Sequence, residues 1–84
     1  MKFRAIENWK KAMAIIHFLI DSKYSKYMFG GVKDVIYDPK EEYLRIESEQ
    51  EYEHYRYYYI MYAEDFDDWM RVNMYSKKGE KWKR

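Results

Sequence analysis

Glu49-Gln50-Glu51-Tyr52-Glu53-His54-Tyr55-Arg56-Tyr57-Tyr58-Tyr59-Ile60-Met61-Tyr62-Ala63 is the stretch on which the fold turns, because it supports two periods. As a helix, Ser48 and Glu51 form a capping box, and Tyr52, Tyr55, Tyr59, Tyr62, Phe66, Trp69 and Asn73 recur every three or four residues. That parse makes one long helix over 49–75. As a strand, His54 to Ala63 is a run of Tyr, Ile and Met with three consecutive tyrosines, and such aromatic crowding favours extended structure. The strand parse is preferred, and a strand apolar on both faces is either central in its sheet or leaves one aromatic face open.

Upstream, Val32 to Asp38 and Glu42 to Ser48 are β-branched and aromatic runs on either side of Asp38-Pro39-Lys40-Glu41. Pro39 presets φ at the second position of a turn, so the segment reads as a β-hairpin. In its second run Leu44 and Ile46 point to one face and Tyr43, Arg45 and Glu47 to the other, the alternation of a half-buried strand.

Further upstream, Trp9, Ala12, Met13, Ile16, Leu19 and Ile20 make one stripe at helical spacing, with Asn8 as the N-cap. The pattern either ends at Asp21 and Ser22 or runs through Tyr24, Tyr27 and Met28 to Gly30 and Gly31. Downstream, Glu64 to Asp68 is an acidic break. Trp69 to Tyr75 then reads as a short helix capped by Asp65 or as another strand leading to a turn at Lys77 to Glu80. The expected architecture is α+β: an N-terminal amphipathic helix on a small antiparallel sheet, in a single domain over 1–84 whose tail, 77–84, frays.

Size and composition agree with one small core. Ile, Leu, Val and Phe together number 16 of 84 residues, and charged residues are 37% of the chain, which is the edge of the disordered class. Eleven Tyr and three Trp bring it back, since each aromatic ring buries a large area. There is no cysteine, hence no disulfide and no thiolate metal site, and a reducing, cytoplasmic setting is the expectation. The longest apolar run, Ala12 to Ile20, is interrupted by His17 and suits neither a membrane span nor a signal peptide.

The net charge of +1 hides segregation. Residues 1–33 carry seven bases against two acids, residues 34–68 twelve acids against three bases, and residues 69–84 six bases against one acid. Such blocks either neutralise one another on folding or present an acidic face to a cationic partner. Glu47, Glu49, Glu51 and Glu53 recur at every second position, so an ideal strand would line them up about 6.8 Å apart, a spacing reminiscent of phosphates. With Asp65, Asp67 and Asp68 beyond, and Tyr55, Tyr57 and Tyr59 as aromatic anchors, this is the expected partner-binding surface.

Catalysis finds little support. His17 and His54 are the only imidazoles, alternation sends Glu53 away from His54, and no phosphate-cradling loop or nucleophile elbow is present. No cofactor or metal is implied. The expectation is a non-catalytic regulator or inhibitor that binds a protein with a basic surface. A nucleic-acid mimic and a viral or mobile-element origin fit the same features. The alternative is a nucleic-acid-binding module that uses Lys77, Lys78, Lys81, Trp82, Lys83 and Arg84, and a helical Tyr stripe would instead make a homodimer seam.

Overall fold

The computed structural model describes residues 3–21 and 27–74. They form a helix α1 (Phe3–Asp21), strands β1 (Val32–Asp38), β2 (Tyr43–Tyr52) and β3 (Tyr55–Tyr62), a 3₁₀ turn (Ala63–Asp65) and a short helix α2 (Phe66–Asn73). Among the described residues the strands make one antiparallel sheet in the order β1-β2-β3. The fold is α+β, and the single helix over 49–75 is not formed. Its heptad pattern is divided between a strand carrying Tyr55 to Tyr62 and a helix carrying Phe66, Trp69 and Asn73.

The β1–β2 hairpin forms where its turn residues place it. Asp38 Oδ1 accepts hydrogen bonds from the amides of Lys40 (2.9 Å) and Glu41 (3.0 Å), so the side chain closes the turn that Pro39 begins. The Glu42 amide then donates to the Asp38 carbonyl at 2.7 Å. Pairing proceeds in register from Asp38 opposite Tyr43 to Asp34 opposite Glu47, after which Lys33 is the extra residue of a bulge in β1.

β2 runs four residues past Ser48, the expected end, and reverses through a two-residue turn at Glu53 and His54. Ser48, read as a helix cap in the alternative parse, is instead wholly buried in the strand. Its Oγ accepts the Gln50 amide at 2.9 Å, within a stretch where β2 loses simple register with β3. Glu47 faces Tyr58 and Glu51 faces Arg56, so β2 advances four residues while β3 retreats two. The segment before β1 is pinned to this irregularity, with the Glu49 amide donating to the Gly31 carbonyl at 3.0 Å. Gly31 has φ 92°, and a Cβ there would stand 2.7 Å from a Glu49 carboxylate oxygen. The positive φ favours glycine at that position, and any side chain there would also have to displace the Glu49 carboxylate.

One face of the sheet is the core. Val35, Leu44, Ile46 and Met61 are buried against Ala12, Ile15 and Leu19 of α1 and Phe66 of α2. A buried aliphatic side chain contributes roughly 1.5–3 kcal/mol, so this small set carries most of the driving force for folding. The helices meet through an edge-to-face contact between Phe18 and Trp69, with ring centroids 5.7 Å apart, and through an ion pair of Lys11 with Asp67 at 2.7 Å.

Two expectations for α1 are corrected. Asn8 is not its cap, because the helix is already formed at Phe3; Asn8 is buried inside it and donates from Nδ2 to Glu42 Oε1 at 2.7 Å. The buried stripe is Asn8, Ala12, Ile15 and Leu19, whereas Trp9 and Ile20 are each 53% exposed. The rotated stripe turns Ala12, Ile15 and Leu19 into the core, and the bond to Glu42 satisfies the Asn8 amide that this rotation buries. As for extension to Gly30, the described helix ends at Asp21, and residues 22–26 lie outside the described set.

Candidate functional site

Cross-strand partners share a face, so the register assigns the sides of the sheet. The inner face carries the rows Tyr37-Leu44-Met61 and Val35-Ile46-Tyr59. The outer face carries Asp38-Tyr43-Tyr62, Ile36-Arg45-Ile60 and Asp34-Glu47-Tyr58. Both helices pack on the inner side. Among the described residues nothing covers the outer one, where Tyr58, Tyr62 and Ile36 are 55%, 52% and 45% exposed.

The outer face is organised around Arg45. Its guanidinium lies 4.8 Å from the centroid of the Tyr58 ring and 3.4 Å from Glu47 Oε2. It therefore joins a cation–π contact to an ion pair, which holds a long side chain flat along the sheet. At one end Tyr43 and Tyr62 meet edge to face, with centroids 5.8 Å apart. At the other, Arg56 pairs with Glu51 and also donates to the Ser48 carbonyl at 3.0 Å. Both arginines thus have carboxylates as partners, while Asp34 and Asp38 stand at the β1 margin with charge in excess. On this face the carboxylates of Asp34, Asp38, Glu47 and Glu51 stand against the guanidinium groups of Arg45 and Arg56. The result is an apolar and aromatic centre with a predominantly acidic rim.

The expected partner-binding residues are only partly brought together. Glu47 lies on the outer face, half-buried beside Arg45, and Glu51 is paired with Arg56. Glu49 lies against Gly31, and Glu53 sits in the β2–β3 turn at φ 57°. The regular row of acids is therefore not formed, because the slip between Glu47 and Glu51 and the turn at Glu53 break its period. Tyr55, Tyr57 and Tyr59 fall on the inner side with Met61, opposite to Glu47. Tyr59 packs on Phe29 with ring centroids 4.9 Å apart, while Tyr55 and Tyr57 extend past the helices and are exposed. Asp67 and Asp68 belong to α2, paired with Lys11 and with Arg71, and Asp65 precedes that helix without a side-chain capping bond.

The outer-face residues Ile36, Tyr43, Arg45, Tyr58, Ile60 and Tyr62 were not among those expected. Half of the signal lies in the alternation of Tyr43, Arg45 and Glu47; the other half needs the parity of β3, which only the two-residue turn at Glu53 and His54 supplies.

The charge blocks do pair in part. Lys11–Asp67 and Arg71–Asp68 join basic segments to the acidic one, while Arg45–Glu47 and Arg56–Glu51 lie inside it. Lys77, Lys78, Lys81, Trp82, Lys83 and Arg84, and the frayed tail expected at 77–84, lie outside the described residues. Among the described residues no group of three or more His, Asp or Glu side chains converges as a metal site, and no helix is long and apolar enough to cross a membrane. A shallow cleft of about 280 Å³ is lined by Tyr27, Met28, Phe29, Trp69 and Asn73, with no carboxylate, imidazole or amine among these side chains. No protein-family model, curated protein or solved structure matches this chain.

Proposed function

We propose that this protein acts without catalysis, as a regulator or inhibitor that binds another protein through the outer face of its sheet. The observation that carries this reading is the uncovered grid of Tyr43, Tyr58, Tyr62, Ile36, Ile60 and Arg45 on the side of the sheet opposite the helices and the buried core of Val35, Leu44, Ile46 and Met61. Tyrosine and arginine are the residue types that dominate binding energy at protein interfaces, and rigid aromatic rings lose little entropy when covered. The acidic margin of Asp34, Asp38 and Glu47 selects a partner whose apolar patch is rimmed by Lys or Arg, and sets the association rate by long-range attraction.

The test is capture from a cell lysate with nuclease added, comparing the wild-type chain with Tyr58→Ser/Ile60→Ser on the outer face and with Tyr55→Ser on the inner side. A protein retained by the wild type and Tyr55→Ser, eluted by rising salt, and lost with the outer-face pair supports the reading. Equal retention by all three chains overturns it. Recovery of nucleic acid alone when nuclease is omitted transfers the function to the basic C-terminal residues.

A further inference from the structure

The two edges of the sheet are unlike. β1 is the edge that natural sheets protect: it is packed by α1, interrupted by the bulge at Lys33, lined by Lys33, Asp34 and Asp38, and stopped by Pro39. β3 has none of these devices. Over its eight residues it carries no proline and no bulge of its own, and Arg56 is its sole ionised side chain, already paired with Glu51 on β2. Among the described residues its backbone pairs only with β2, which leaves a row of donors and acceptors on the far side over roughly 27 Å at 3.4 Å per residue. Such an edge is a template for another strand.

We infer that this edge pairs antiparallel with β3 of a second copy of the chain about a two-fold axis, joining two sheets into one of six strands. Charge selects the second copy as occupant. Any antiparallel register centred between Tyr57 and Ile60 sets Arg56 opposite an uncharged residue and places Tyr, Ile and Met against one another, so no like charges meet within Tyr55–Tyr62. The axis stands perpendicular to the sheet and keeps faces together, so the two outer faces become one continuous surface and both helical layers lie on the other side. Because the β1 edges are blocked, assembly stops at two. This inference does not depend on what the outer face binds.

Sedimentation of the full chain from low micromolar to near-millimolar concentration tests it, together with hydrogen exchange at both ends of that range. A monomer–dimer equilibrium is expected, with amide protection within Tyr55–Tyr62 rising as the dimer forms. Tyr57→Lys adds a cation to the β3 edge without touching the outer face, and weakens the dimer about tenfold or more, through charge repulsion and lost aromatic contact. A chain that stays monomeric throughout, or a dimer that forms with unchanged β3 exchange or survives Tyr57→Lys undiminished, overturns it. If circular dichroism shows Tyr57→Lys to be unfolded, the wild-type exchange data alone decide.

Discussion

Strand β2 shows two surfaces of one segment with opposite fates. On its inner side Leu44, Ile46 and Ser48 are buried almost completely, and on its outer side Arg45 is exposed and Tyr43 and Glu47 are half-buried. The two faces differ in charge: Ile46 sits between Val35 and Tyr59, whereas Arg45 sits between Ile36 and Ile60 and is flanked by rows that begin with Asp34 and Asp38. The layer of helices covers the uncharged face, and the face that mixes Asp34, Asp38, Arg45 and Glu47 with its aromatics is left available for recognition.

The largest effect that would sharpen this contrast is expected from Ile46→Ala. It opens a cavity in a closed core and should cost ~2–5 kcal/mol, much of the stability of a domain this size. Ile36→Ala on the outer face should cost under about 1 kcal/mol. Denaturant unfolding of the two variants measures both, and equal losses would mean that the outer face is also a packed surface.

Next comes Asn8→Ala. It removes the bond to Glu42, whose exposed carboxylate can turn to water, for an expected loss of about 0.5–1.5 kcal/mol. A loss below a few tenths would mean that the rotated helix stripe needs no polar anchor. A smaller change of opposite sign is expected at the β2–β3 turn. Glu53 has φ 57°, where a side chain is strained, so Glu53→Gly should raise stability by up to ~1 kcal/mol, offset in part by the freer unfolded chain. A thermal melt reads this shift directly.

The smallest effect concerns Tyr37 at the sheet margin. Burial, then the charges of Glu42 and Asp38, hold its phenol above the ordinary tyrosine value of about 10. The unfolded chain therefore loses this proton first. The associated stability is fully present below about pH 10 and is lost as pH rises through the raised folded-state value. Tyr37→Phe should remove that part of the alkaline destabilisation, as followed by unfolding at stepped alkaline pH. An unchanged slope would mean that Tyr37 makes no contribution to it.

Legibility followed the range of the interactions. Asp38-Pro39 is a local turn in which one side chain bonds amides two and three residues away, and β1 lies where that turn predicts. The turn at Glu53 and His54 has no Asn-Gly or Asp-Gly to announce it, because a glutamate adopts the left-handed conformation there. Its position fixes which tyrosines of β3 point outward, so a one-residue uncertainty exchanges Tyr55, Tyr57 and Tyr59 for Tyr58, Ile60 and Tyr62. The row of alternate glutamates failed for a related reason: period alone assumes a straight ladder, and β2 slips by two residues within that row.

The sequence by itself determined that the chain is a small α+β domain, that its first long element is helical, that 32–48 is a hairpin with Leu44 and Ile46 turned inward, and that its charge is laid out in blocks. Each of these rests on neighbours within a few residues, where spacing and turn chemistry act directly. Only the tertiary structure decided the rotation of α1 about the Asn8–Glu42 bond, the division of 49–73 into two strand segments and a helix, and the uncovered grid centred on Arg45. Those depend on which distant segments pack together, and packing can override local period because burying an apolar face outweighs a propensity difference of a few tenths of a kcal/mol per residue.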